Sequence, residues 1–561
     1  MASVENLVIE SIQFTNNRTL RKWQIVTAIA CIVAIVVTAL LIWQVSKDDR
    51  QCNVKTLNTI NQNGGKESGT KQEQPAYWRP CPRLPSLIAL PETIPEPLSK
   101  ALSRIGELVN NAVNSTVQLP AISVSVFYQN RTLWTGHYGR KEYKRENKPD
   151  DRTVYRIGSV TKVFVVLMVY KFYEEGLIDS LDDPLTKYVP EFSIQNPYTM
   201  KNITIRQIAS QMSGLPREAP CFYVCANVTS QQVLKQLANR SLVMTPGVMP
   251  SYSNLGYSLL GRLLTEKLLK NQTFESWVIG RILRPLNMTN TGFDVTEQVQ
   301  QNMAFPHDDK GKRMPFMIID WVAPAGQMYS TLEDLTKLGM MFSQPNKQNL
   351  FRPSSLREMM YPMNIAPDGV TLWGAPWEMT FIEQNLVRKK GGGIDSYSVT
   401  TSVVPELQLG INILVSSSSF IPRGATTNLN DFYKILLPTL NQTLFYLQGS
   451  SRFPVDPKPY VGNYSLNETD MFTLKVTTSL AEVVAREDGL VVFYSGGQFE
   501  VRYIGHEFLF QAQFAKSSAT CTGERLGKYE DFYFSPFNNQ GYSAGFKVPG
   551  YSKSMIAARI S

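Results

Sequence analysis

Apolar positions along this chain follow three regimes. Ile25 to Trp43 reads IVTAIACIVAIVVTALLIW, uncharged and apolar on every face. At about 1.5 Å per residue such a run covers roughly 30 Å of hydrocarbon, which predicts a retained membrane-spanning signal-anchor helix behind a short cytoplasmic tail, residues 1–24. Arg18, Arg21 and Lys22 precede it and Lys47 and Arg50 follow it, flanking charges that favour a membrane span over a buried core helix. A cleaved signal peptide would have a shorter apolar run and small residues at its end, where Trp43-Gln44-Val45-Ser46 stands. Residues 44–97 lose all periodicity and become proline-rich through Pro80, Pro82, Pro85, Pro91, Pro95 and Pro97, the composition of a stem.

The second regime, residues 98–445, mixes both periods. Ala121–Tyr128 and Thr132–Tyr138 around Gln129-Asn130-Arg131 predict a hairpin, and Tyr397–Val404 a strand. Val160–Glu175, closed by Gly176, predicts a helix, with Ser159 where its free N–H groups and dipole favour negative charge. From Pro454 to residue 561 short runs separated by turn formers (Phe472–Val476, Gly489–Tyr494, Phe499–Ile504, Phe508–Phe514, Phe532–Phe534 and Gly545–Val548) predict a small antiparallel sheet or barrel.

Composition narrows the function classes. With 561 residues, 43% of them apolar and 18% charged, the chain has the material for a large domain and a smaller one, and disorder cannot dominate. The net charge of +9 is spread without a Lys/Arg block, so nucleic acid is not an expected partner. His137, His307 and His506 are the only histidines and no Cys-x-x-Cys occurs, so no metal site and no cofactor is expected. After the apolar segment come ten glycosylation sequons, at Asn114, Asn130, Asn202, Asn227, Asn239, Asn271, Asn287, Asn441, Asn463 and Asn467. Chance would supply roughly half as many, which favours a lumenal or extracellular body. Cys31 falls inside the apolar segment. Of Cys52, Cys81, Cys221, Cys225 and Cys521, the pair bracketing Phe-Tyr-Val, Cys221 and Cys225, is the expected disulfide.

Chemistry concentrates in three clusters. Ser159 and Lys162, three apart, share a helix face, and a serine hydroxyl needs a base that a partly buried lysine can supply. Alone the spacing is weak, since Ser68-x-x-Lys71 in the stem repeats it. Tyr252 and Asn254 follow a turn and precede the apolar run Leu255–Leu264, and Lys390-Gly391-Gly392-Gly393 precedes the Tyr397 strand. Gly541-Tyr-Ser-Ala-Gly545 has the form of a nucleophile elbow, but no acid or histidine follows Ser543. The triple glycine lacks the Lys-Ser/Thr of a phosphate loop.

In that order, Ser-x-x-Lys, Tyr-x-Asn and Lys-x-Gly resemble the signature of the serine beta-lactamase and penicillin-binding protein superfamily, nearest its class C branch and the animal beta-lactamase-like proteins. Supporting stretches are Ile203–Pro216, Tyr252–Gly261 and Pro324–Asp334. The resemblance spans roughly residues 100 to 440. It implies an α+β fold, an antiparallel sheet flanked by helices with a helical subdomain, and often a lipocalin-like extension, whose opening Tyr460-Val-Gly-Asn-Tyr464 resembles. It implies Ser159 as nucleophile, Lys162 or Tyr252 as its base, and Tyr252 as proton shuttle. Asn254 would steady Lys162 and donate to the substrate amide. Lys390, Gly391 and Gly392 would bind substrate, and the Ser159 and Gly393 N–H groups would form the oxyanion hole. The chain departs from the pattern at Gly391, usually Thr or Ser, at Gln211, often His, and at Ser396, often Gly. The expected activity is a membrane-anchored serine hydrolase acting on a small-molecule or peptide acyl substrate, with a turnover-deficient scaffold as the alternative and no deacylation base assigned.

Overall fold

A computed structural model describes Pro85 and residues 87–561 apart from 117–118, 222–224, 309, 418–424, 449–455, 471, 487–488, 495–496, 504–507, 514–529 and 551–552. The 25–43 segment, most of the stem, and Cys31, Cys52, Cys81 and Cys521 lie outside the described residues. Among those described, no helix is long and apolar enough to cross a membrane.

The larger part is an α+β fold. Its antiparallel sheet runs in the order Arg131–Tyr138, Ile122–Tyr128, Leu409–Val415, Tyr397–Val404, Asn385–Ile394, Glu378–Ile382, Leu372–Trp373, Asn364–Ile365. Helices cover both faces, so the central strands are buried on both and read as nearly continuous apolar runs. Ile122, Val124, Val126 and Tyr128 face one apolar cluster with Leu102, Ile105, Leu436 and Leu440. This cluster is built by the helices Glu96–Asn114 and Ala425–Gln448. In the first, Leu98, Leu102, Ile105, Val109 and Val113 form a single buried stripe. Phe127 faces the other side, toward the main core. There the helix Thr161–Glu174 is buried from Thr161 through Tyr170 and lacks a polar face, as its sequence requires.

Residues 462–559 form a closed eight-stranded antiparallel barrel, from Gly462–Asp470 to Lys553–Arg559, whose last strand pairs with its first. Aromatic rings fill its interior: Tyr460, Phe510 and Phe534 lie edge to face with centroids 5.1 Å apart. The run Phe472–Val476 is not a strand as expected. Phe472 to Lys475 turn between two strands. The Asp470 carboxylate accepts from the Phe472 and Thr473 N–H groups and Leu474 takes a φ of +54°, so local polar chemistry overrides the apolar pattern.

Candidate active site

The site starts from a backbone constraint. Tyr155-Arg156 pairs with Tyr329-Ser330, and Ile157 N–H donates to Met328 O at 2.9 Å. Gly158 then takes a φ of +49°, and a Cβ there would lie 2.7 Å from Gly393 N, so only glycine fits. Gly158–Val160 forms a 3-10 turn leading into Thr161–Glu174. Thr161 Oγ1 fixes the turn by donating to Gly158 O at 2.7 Å and accepting from Met328 N at 3.2 Å. Ser159, partly exposed, therefore sits at the mouth of a buried helix start. Lys162, one turn on, is fully buried and spends its three donors on Ser159 Oγ at 3.1 Å, Asn254 Oδ1 at 2.7 Å and Ala325 O at 2.6 Å. Burial pushes its ammonium below the usual lysine range; Tyr252 and Glu218 pull the other way.

Tyr252 and Asn254 are held by the segment 211–218. Ser253 caps the helix Asn254–Leu268 by accepting from Gly256 N–H at 2.9 Å, and its own N–H donates to Gln211 Oε1 at 2.7 Å. Arg217 O accepts from Asn254 N–H at 2.7 Å. Gln211, the departure from histidine, thus braces the tyrosine loop and is itself buried at a φ of +64°. The Tyr252 ring has Lys162 Nζ at 4.9 Å, Lys390 Nζ at 5.3 Å and the Arg217 guanidinium at 5.0 Å from its centroid. Burial raises the phenol's pKa, but Lys162 and Lys390, with hydrogen bonds from Ser159 and Lys162, more than offset it and lower it to about 8.

The strand Asn385–Ile394 brings the third cluster. Its pairing with Glu378–Ile382 ends at Lys389, so the glycines run on beside the 157–160 turn. A Cβ on Gly392 would come within 2.0 Å of Ile157 O and 2.8 Å of Ser159 N. The glycine run brings the Gly393 backbone against residues 158–159. Lys390 is buried and donates to Glu378 Oε1 at 2.7 Å and Gly391 O at 2.9 Å; burial pulls its pKa down, yet Glu378 and Tyr252 together raise it. The strand turns back through Asp395 and Ser396, both at positive φ, +49° and +70°. That conformation explains why glycine suits position 396. Asp395 also pairs with buried Arg156 at 2.7 Å, tying this hairpin to the residues just before Ser159.

The beta-lactamase family profile matches residues 109–433. The chain belongs to the beta-lactamase family. A human protein named beta-lactamase-like 1 is 30% identical over 493 residues, covering 84% of this chain and 96% of its own. A class C beta-lactamase superposes with a TM-score of 0.53 at 17% identity, covering 62% of this chain and 98% of its own. The octameric penicillin-binding protein homologue of Pyrococcus abyssi superposes at 0.51 and 19% identity, over 81% of this chain and 99% of its own. The last two comparisons speak to the fold alone.

Three functional neighbours escaped the beta-lactamase signature: Ala325 O, Glu378 and Glu218. The first belongs to a stretch whose backbone, not its side chains, matters. Glu378 follows Trp377 on the neighbouring strand, 12 positions from Lys390, with nothing in its spacing to flag it. Glu218 follows Arg217 directly after the Ser213-Gly214-Leu215-Pro216 turn. Asn254 differs from the expectation: its Nδ2 donates to Glu218 Oε1 and Oε2 at 2.9 and 3.0 Å, so the amide meant for substrate is already engaged. Cys221 and Cys225, just beyond, are joined, with Cα atoms 5.1 Å apart. Ser543 of the elbow-like motif is fully buried in the barrel part, donating to Ser535 O and Gly545 O. A cavity of about 730 Å3 beside Lys458, Tyr542 and Arg559 contains none of these groups. Chemistry, not cavity size, marks the site.

Proposed function

We propose that this beta-lactamase family member is a membrane-anchored, outward-facing serine hydrolase that forms an acyl-enzyme on Ser159 from an amide, ester or peptide. The observation that carries the reading is the Lys162 Nζ to Ser159 Oγ contact of 3.1 Å, made beside a phenol whose pKa is drawn to about 8. Ser159 Oγ bonds to the substrate carbonyl carbon while its proton passes to Lys162 or Tyr252. The C–N or C–O bond then breaks and that proton goes to the leaving group; water releases the acyl group in a second displacement. Developing negative charge on the carbonyl oxygen would be met by the Ser159 and Gly393 N–H groups, and Lys390 with Gly391 and Gly392 would line the substrate path.

The apolar segment 25–43 supports the anchor, and exposure of nine sequon asparagines supports the outward body: Asn114, Asn130, Asn202, Asn227, Asn239, Asn271, Asn287, Asn463 and Asn467. Asn441 is half-buried in the helix Ala425–Gln448, its amide oxygen and the Thr443 hydroxyl both out of reach of solvent, and lends less support. An active-site fluorophosphonate tests the chemistry: labelling of wild type and not of Ser159→Ala supports it, and no labelling at any pH favours the scaffold. Treatment with a glycan-removing enzyme tests topology, and unchanged gel mobility overturns the outward body.

A further inference from the structure

Glu218, like Glu378, is a site group that no motif assigns, and it is nearly buried, 9% exposed. Both its oxygens accept from Asn254 Nδ2, at 2.9 and 3.0 Å, and the opposite end of the same amide accepts from Lys162 Nζ at 2.7 Å. An amide turned end for end would set its NH2 against an ammonium that can only donate, and its oxygen against a carboxylate that can only accept. The amide therefore has a single orientation: donation runs from Lys162 through Asn254 to Glu218, while Lys162 also donates to Ser159 Oγ at 3.1 Å.

We propose that Glu218 is a positioning residue whose carboxylate locks the orientation of the Asn254 amide and, through it, holds the Lys162 ammonium on Ser159. The proposal rests on the hydrolase reading for its catalytic meaning only. Groups facing Lys162 come from every side: Tyr252, Tyr257 with its ring centroid at 5.4 Å, Lys390 with its partner Glu378, and Glu218 with its partner Arg217 at 3.2 Å. Of these, Glu218 and Tyr252 favour the ammonium, whereas burial and Lys390 oppose it. Removing the Glu218 charge should lower the Lys162 midpoint.

The test reads Lys162 directly, by NMR of the full chain carrying 13C-labelled lysine, with its resonance assigned by loss in Lys162→Arg. Glu218→Gln should lower the Lys162 titration midpoint by about half a pH unit or more. It should also slow Ser159 acylation by an activated ester about tenfold or more. Glu218→Leu, which leaves Asn254 Nδ2 with no acceptor, should slow acylation several-fold beyond Glu218→Gln, whose amide oxygen can still accept from it; a role of the charge alone gives the two variants equal rates. A Glu218→Gln midpoint equal to wild type, or a Glu218→Leu rate no different from that of Glu218→Gln, overturns the proposal. If wild type takes no acyl group at any pH, the hydrolase reading falls while the midpoints still decide the role of Glu218 in orienting Asn254.

Discussion

The larger domain holds two serine clusters, and the one with the more familiar side chains is not the one proposed as the active site. Ser123 Oγ lies 3.0 Å from His137 Nδ1, and His137 Nε2 lies 3.0 Å from Asp151 Oδ1, a Ser-His-Asp array in composition and distance. Yet Ser123 is fully buried, shares its hydroxyl with Tyr155 at 2.9 Å, and sits mid-strand between His137 and Leu414 of the neighbouring strands. Its backbone is part of the sheet ladder, so no N–H is free to meet an oxyanion. Ser159 has no histidine, but it stands on a 3-10 turn at a helix start, partly exposed, with a buried ammonium beside it. Backbone placement, more than the cast of side chains, separates a nucleophile from a structural hydroxyl.

The largest effect that can break this comparison is at the nucleophiles themselves. Ser159→Ala should lower probe labelling by about 10³-fold or more. Ser123→Ala should keep labelling within about twofold and cost about 1 kcal/mol of stability for a lost buried hydrogen bond. The reverse pattern would exchange the roles of the two clusters. Lys162→Met, which removes one candidate base and a cation that lowers the pKa of the other, and leaves Asn254 Oδ1 and Ala325 O without their partner, should slow acylation about 10²- to 10⁴-fold in single-turnover assays. Arg156 lies between the two clusters, following Tyr155 and three residues before Ser159. Asp395→Ala would strand its buried guanidinium at a cost of about 3–5 kcal/mol, read from the denaturant midpoint. Smallest is Ser396→Gly, which relieves a φ of +70° and should stabilise by about 1 kcal/mol or less.

The elements with strong periodicity were legible. The 121–138 hairpin, the helix after Ser159 and the Tyr397 strand each announce themselves by apolar spacing, and the three clusters of the candidate site by ordered motifs. Glu96–Asn114 escaped because its prolines at 95 and 97 read as stem, although proline suits the first turn of a helix. The barrel strands Gly462–Asp470 and Val476–Arg486 escaped because their outward positions are rich in Ser, Thr, Asn and Glu and dilute the alternation, and Lys553–Arg559 because its Met-Ile-Ala-Ala run is apolar at inward and outward positions alike. Glu218 and Glu378 were invisible for another reason: their partners, Asn254 and Lys390, are reached through space, and carboxylates are too common for one without spacing to stand out. Residues that shape a site through another residue leave no local signature.

The central claim is that Ser159 becomes acylated with a base tuned by two buried ammonium groups. Its most direct test is peptide mass mapping of the protein after brief exposure to an activated ester between pH 6 and 9. With the Tyr252 phenolate as proton acceptor, the adduct falls on the peptide carrying Ser159 and its rate of formation climbs as pH passes through about 8, because the phenol must first lose its proton. An adduct on any other residue, Ser123 included, or no adduct across that range, contradicts the account.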